Sequence, residues 1–532
     1  MPALRARRGS ARRLAASIVS FAFGIGMLAL TAPPAMAASC TIESGVATVT
    51  TTATFVSIYR NSSNDFVAED YFGTQLCAGA ATSATVTGGA DSTEEVWILM
   101  DQFGIGSPID GTQITLNLGD LPNDSDSLTV YGTTGADTMK FGTWSGSGVA
   151  RFGASNDDDV LGLDSVETLT VNGGAGTDVV TGSPAGATAW PGFMFIYGDD
   201  DSDMLTSSSA GNYIEGGAGN DLMAGGPGSD TLIGGDGDDT MSGNDGDDYL
   251  TGDLGTDVLN GNGDNDQLFG GAGDDTLNGG AGDIDILVGD AGADSMSGGD
   301  GSLDRVTYGP ATCAVTANLD GLVGDGCSGE GDTIGTDVEQ LQGGSGNDVL
   351  TGDGNENRLL GNPGDDVLNG GAGVDSLEGD AGNDTLNGGD DGDTLRGSVG
   401  TDTLNGGAGD DRLIGGADGD ALDGGGNDAN GDTADYSLEA TAITVNLDRN
   451  SGRGAAAGDT FVGIENVTGT NFKDTIAGDA SANVLKGGNG DDSLKGGDGD
   501  DTIYGEGGAG DVAVGGAGSD TCIAERQRTC EA

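Results

Sequence analysis

The 532-residue chain contains no histidine. That absence excludes a Ser-His-Asp or Cys-His arrangement, an HExxH zinc site and an imidazole general base. Aromatic residues make up only 5% and proline fills only 10 positions, so neither a large conventional core nor a collagen-like chain fits. Positive charge is equally scarce: 19 Lys and Arg face 87 Asp and Glu, for a net charge of −68. Nucleic acid and anionic lipid surfaces are excluded as partners by sign. Within residues 40–197 no helix of ordinary length is convincing, and beyond residue 37 no apolar run is long enough to cross a bilayer. There is no CxxC pair, Walker loop, nucleophile motif or EF-hand loop. Carboxylates, lysine and tyrosine remain for catalysis, yet the expectation is a protein that is not an enzyme.

Glycine and acid are what the chain has in excess. The 106 glycines bring backbone freedom and no side chains to a core. A bare chain of this charge repels itself and stays expanded, so folding requires a cation to pair with it.

The first 37 residues read as a secretory signal peptide. Arg5, Arg7, Arg8, Arg12 and Arg13 precede an apolar stretch from Leu14 to Leu30, and Ala35-Met36-Ala37 supplies the small-residue cleavage site. Removing them leaves 14 basic against 87 acidic groups, a net −73, on a secreted, extracellular chain. The six cysteines suit an oxidising compartment and allow 15 pairings. Proximity favours three local staples, Cys40–Cys77, Cys313–Cys327 and Cys522–Cys530.

The strongest signal is a nine-residue beat. From Gly216 the chain reads GGAGNDLMA, GGPGSDTLI, GGDGDDTMS, GNDGDDYLT, GDLGTDVLN, GNGDNDQLF, GGAGDDTLN. Each unit opens with Gly, places Asp sixth and an apolar residue eighth. Glycines at the first, second and fourth positions permit a tight turn in which carbonyl oxygens converge, and the Asp adds a carboxylate. Hard oxygens placed irregularly suit Ca²⁺ better than Mg²⁺, which needs a rigid octahedron. Positions seven to nine alternate as a three-residue strand with one side chain inward. The beat extends back to Gly198, takes one extra residue after Gly279, and resumes at Gly289. A second array starts at Gly343 and a third at Gly469. The two spacers resemble each other: DRVTYGPATCAVTANLD from Asp304 and DTADYSLEATAITVNLD from Asp432.

These units resemble the hemolysin-type calcium-binding, or repeats-in-toxin, nonapeptide family, GGxGxDxUx. The resemblance implies an all-β, right-handed parallel β-roll or β-helix solenoid in which GGxGxD turns bind multiple Ca²⁺ ions between coils and U packs inside. The carboxylate ligands it implies in the first array are Asp221, Asp230, Asp239, Asp248, Asp257, Asp266 and Asp275. In the second they are Asp348, Asp366, Asp375, Asp384, Asp393, Asp402, Asp411 and Asp420, and in the third Asp474, Asp492, Asp501 and Asp520. Main-chain contributions are implied for the turn glycines Gly217, Gly219, Gly226, Gly228, Gly235, Gly237, Gly271 and Gly273. The same holds for Gly371, Gly373, Gly407, Gly409, Gly488, Gly490, Gly497 and Gly499. Asn212, Asn357 and Asn483 stand where Asp belongs, so their turns should bind weakly or act only structurally. Asp266 has lost the fourth glycine, and the insertions near Asp285 and Asp511 move those carboxylates out of frame.

The organisation expected is a signal peptide (1–37), a β-rich, β-helix-like region (38–197), arrays at 198–303, 343–428 and 469–523, insertions at 304–342 and 429–468, and a C-terminal cap (524–532). Trp97, Trp144, Trp190 and the run Asp157-Asp158-Asp159 are the only hints of sugar chemistry in the region before the arrays. The function expected is calcium binding coupled to folding, with a structural or adhesive role toward an extracellular glycan or protein. The alternative is a polysaccharide-acting hydrolase or lyase stabilised by the roll.

Overall fold

The computed structural model describes residues 168–528 and 530, apart from 183–187, 190, 209 and 427–429. Before residue 168 it describes the backbone of strands from Ala38 onward and the side chains of Val130, Met139, Lys140 and Phe141. The signal segment, Asp157, Asp158, Trp190, and the side chains of Cys40, Cys77, Trp97, Trp144 and Asp159 lie outside the described residues.

All regular structure among the described residues is strand, wound as a parallel β-solenoid of about 18 turns. Each turn of the repeat region takes two nonapeptides, so a strand pairs in parallel with the one 18 residues on: Leu232 lies opposite Leu250, and Leu250 opposite Leu268. The strand Thr231–Asp236 shows how the sequence dictates this. Leu232 and Gly234 are buried while Thr231 and Ile233 are half-buried. One apolar side chain, usually Leu, and one Gly per nonapeptide thus face the interior. The inward column Leu232, Leu250, Leu268, Leu287 and its opposite number Met241, Leu259, Leu277, Met296 are at most 1% exposed. Most array strands are six residues long rather than the three expected. They run on through the glycines because Gly217 also pairs with Gly235 across coils.

One side of the solenoid is a single sheet. It passes from Thr168–Ala175 through Phe193–Asp200 and Thr231–Asp236, along Arg305–Thr307 and Gln340–Gln342, and on to Thr433–Asp435, Asn466–Thr468 and Thr521–Ile523. Upstream it pairs with Ser127–Tyr131 and Glu95–Leu99, so the β-rich N-terminal region merges into the roll.

The other side is broken into three sheets. At the first break the chain forms an antiparallel hairpin between Val315–Asn318 and Gly326–Cys327. Val315–Asn318 founds the second sheet by pairing with Val349–Thr351. The chain then drops back, and Thr333–Ile334 completes the first sheet against Ser295–Asp300. The second break repeats this device with Ile443–Asn446, Ser451–Gly454 and Thr460–Val462. Disulfides join Cys313 to Cys327 across the first hairpin and Cys522 to Cys530 at the C-terminal end. Arg526–Arg528 lies on the last edge strand, where charge discourages further pairing. Among the described residues no helix is long and apolar enough to cross a membrane.

Candidate metal centres

The turns between strands stack in two columns, one along each edge of the solenoid. Within a column the sixth-position aspartates form a ladder along the axis. The backbone N–H of Asp221 donates to Oδ1 of Asp239 at 2.7 Å, Asp239 to Asp257 at 2.7 Å, Asp257 to Asp275 at 2.8 Å and Asp275 to Asp294 at 2.9 Å. The opposite edge carries Asp230, Asp248, Asp266, Asp285 and Asp304 in the same way.

This accounts for one carboxylate oxygen and leaves the other. From Asp203 to Asp520, twenty-three aspartates have a buried Oδ2 without a hydrogen-bond partner, and none is more than 4% exposed. Burying a charged oxygen with no partner costs several kcal/mol in order of magnitude, so such a row is untenable in an anionic chain unless cations meet it. The turn glycines show where the room lies. A Cβ placed on Gly270 would come within 2.6 Å of Asp275 Oδ2 and 2.8 Å of the carbonyl oxygen of Gly289 in the next coil. Only an absent side chain keeps that oxygen-lined gap open. At the second position Gly235 has φ +115°, and a Cβ there would strike the carbonyl of Gly217 one coil away. Among the described residues no three acidic or thiol groups converge to hold an ion by themselves. Carbonyl oxygens therefore have to complete any shell, as Ca²⁺ tolerates and Mg²⁺ does not.

Electrostatics agree. Burial pushes the carboxyls of Asp239 and Asp294 up to about 7 and that of Asp266 to about 8, against the lowering effect of the backbone N–H each accepts. Like-charged neighbours along the ladder raise them further. The groups are held where they want either a proton or a cation.

Seventeen of the nineteen aspartates singled out from the repeat carry such an orphan oxygen. Asp348 and Asp474 differ: their Oδ2 atoms accept the backbone N–H of Gly344 at 2.8 Å and of Thr470 at 2.7 Å. All sixteen glycines singled out have positive φ, from +87° at Gly488 to +142° at Gly273 and Gly409. Where the second or fourth residue is not Gly it is mostly Asp or Asn, as at Asp253 and Asn262, the residues that best tolerate that backbone.

The expectation that Asp285 and Asp511 fall out of frame is corrected. Both sit in the ladder, Asp266 donating to Asp285 Oδ1 at 2.8 Å and Asp492 to Asp511 Oδ1 at 2.9 Å. The extra residue is absorbed in the exposed turn, where Ile284 is 42% exposed, because strand pairing fixes both flanks. The ligand set also left out Asp203 and Asp294, which are in frame from Gly198 and Gly289, and Asp304 and Asp432, which are not; the structure aligns all four with the rest. A second ladder on the fifth residue of many turns was missed as well. Asp365 accepts the Asn383 N–H at 2.8 Å, and Asn383 accepts that of Thr401 at 3.1 Å. Its sequence signal was present in the recurrent Asn and Asp at that position.

Fold and site together define a parallel β-solenoid with rows of half-bonded, buried carboxylates in glycine turns, a repeat protein built to hold cations. The family model of the RTX calcium-binding nonapeptide repeat matches overlapping stretches within residues 197–302, 333–428 and 460–512. Through this region the chain belongs to that family, and its repeats bind calcium, several ions to a chain. A search of the curated proteins finds no match.

Proposed function

We propose that the protein acts outside the cell as a structural or adhesive solenoid whose roll forms only when calcium fills its turns. The observation that carries this reading is the row of twenty-three buried, unpartnered Oδ2 atoms. Without cations their charge and desolvation oppose the coil, while hydrophobic burial offers little more than one Leu or Met per nonapeptide to offset them. With cations bound, repulsion becomes cohesion and metal affinity becomes folding free energy. In a compartment poor in calcium such a chain stays extended and fit for export; outside it folds coil upon coil. The reading is of a binding and scaffolding protein rather than an enzyme. The twenty-three aspartates with an unpartnered Oδ2, together with carbonyls of the turn glycines, are the ligands we assign.

Far-UV circular dichroism of the chain from residue 38, titrated with Ca²⁺ from a chelated start and with Mg²⁺ as control, tests it. A cooperative rise of β signal with Ca²⁺ alone is expected. A spectrum already folded in chelator, or one that responds equally to Mg²⁺, overturns the coupling.

A further inference from the structure

Resting on that calcium reading, we infer that the two spacers are cation-free caps that divide the roll into three separately terminated blocks of calcium sites. The partners of each carboxylate carry the inference. Inside an array every sixth-position Asp keeps one buried oxygen unbonded; at the array boundaries the protein's own donors fill both oxygens of an Asp, a neutral side chain stands instead, or a Glu takes the last N–H and leaves no buried oxygen unpartnered.

The second array shows both ends. Its first residue on one edge is Asp348, whose oxygens accept the N–H of Val315 and of Gly344. On the other edge it is Asn357, which accepts the Asp353 N–H at 2.7 Å. Four orphan carboxylates follow on each edge: Asp366, Asp384, Asp402, Asp420, and Asp375, Asp393, Asp411, Asp432. The first row ends on Asp459, whose Oδ1 accepts the Asp420 N–H and whose Oδ2 accepts the buried hydroxyl of Tyr436 at 2.7 Å. The second ends on Glu465, which accepts the Asp432 N–H at 3.1 Å.

The other spacer builds the same stop. Tyr308 donates its hydroxyl to Asp332 Oδ2 at 3.0 Å, and Glu339 takes the Asp304 N–H at 2.9 Å. Tyr308 and Tyr436 are each the fifth residue of their spacer, counted from Asp304 and Asp432. The third array opens on Asp474, doubly bonded by Thr470, and on Asn483, and one of its rows closes on Glu525. At Asp332, Asp348, Asp459 and Asp474 a hydroxyl or amide proton supplied by the chain occupies the place an ion would need, and Glu339 and Glu465 present no buried unpartnered oxygen, so the columns stop at the spacers. The unbroken sheet along the other side holds the blocks in one body, while the ion columns, and the carboxylate coupling along them, do not pass the spacers.

The test uses the full chain from residue 38. Calcium bound per chain is counted by elemental analysis after equilibrium dialysis, for wild type, for Asp384→Asn inside the second array, and for Asp348→Asn and Asp459→Asn at its ends. Asp384→Asn is expected to lower the count by one ion or more, and the two end substitutions to leave it unchanged. Asp474→Asn serves as a further end substitution where Asp459→Asn does not fold. Hydrogen exchange at saturating calcium reads the division itself: in Asp384→Asn, protection is expected to fall within 343–428 and to persist in 198–302 and 469–523. Loss of an ion from the end variants, or loss of protection spreading into the neighbouring arrays, overturns the division while leaving calcium binding intact. A wild-type chain that binds no calcium removes both.

Discussion

An array interior and a spacer place the same residue, aspartate, at the same point of the same coil, and they treat it oppositely. Asp384 is buried with one oxygen bonded by the Asp366 N–H and the other facing no donor. Asp459 is just as buried, yet a backbone N–H and the Tyr436 hydroxyl satisfy it fully. The interior depends on something outside the chain and the spacer does not. The glycines differ in the same way. In the arrays they keep carbonyls of successive coils within reach, whereas Gly324 in the first spacer has φ +136° with nothing near its missing Cβ. Among the aspartates, what distinguishes a binding turn from a structural one is therefore the partner of the second oxygen.

The largest way to sharpen this comparison is pH. In the metal-free roll, interior carboxyls such as Asp230, Asp239 and Asp393 are raised by burial to about 7, above their unfolded value near 4. The folded chain then binds more protons than the unfolded one between about pH 4 and 7. Stability from these groups is fully present below the unfolded value and is lost as pH rises through the folded one. In chelator, where the chain is expanded at pH 8, acidification to pH 5 neutralises these groups and is expected to bring in β signal and a melting transition. In saturating calcium the sign should reverse, because protons compete for the same oxygens. Melting curves in both conditions check it, and slopes of one sign would remove the carboxylates from the account.

Packing comes next. Leu250 is fully buried in an array, and Leu250→Ala should cost about 2–5 kcal/mol of stability with calcium bound. Leu322, 65% exposed in the spacer hairpin, should cost less than about 0.5 kcal/mol on the same change. Denaturant unfolding of both variants measures the contrast, and equal costs would contradict it. The smallest effect separates the glycines. Gly235→Ala combines a positive φ with a collision against the Gly217 carbonyl and should cost about 2 kcal/mol or more, whereas Gly324→Ala meets only the backbone penalty of about 1 kcal/mol. Thermal melts at fixed calcium distinguish the two.

Much of the array was legible because its logic is local and periodic. Glycine at the first position, Asp sixth and Leu or Met eighth locate the inward column and the carboxylate row residue by residue. Sequence counting lost the row wherever the period slipped. Asp285 and Asp511 follow one extra residue and Asp432 several, yet each reaches the ladder because pairing to the coil before and after holds its place while the turn bulges outward. Nor could counting show that Asp348 and Asp474, perfect in register, have no oxygen left to offer.

The sequence by itself determined the coil. Its period, its inward Leu and Gly, and its excess of negative charge require a stacked solenoid and a cation to neutralise it. Tertiary structure alone decided where the cation columns begin and end. Tyr308 and Tyr436 reach Asp332 and Asp459, 24 and 23 positions further along the chain, past hairpins that found a new sheet before the old one closes. Whether an aspartate binds outward or is answered from within depends on which donor the fold brings to its second oxygen. At Asp332 and Asp459 that donor comes from another part of the spacer, and at Asp348 and Asp474 it is a backbone N–H of the same turn that the interior turns direct elsewhere, so the nine-residue pattern does not reveal it.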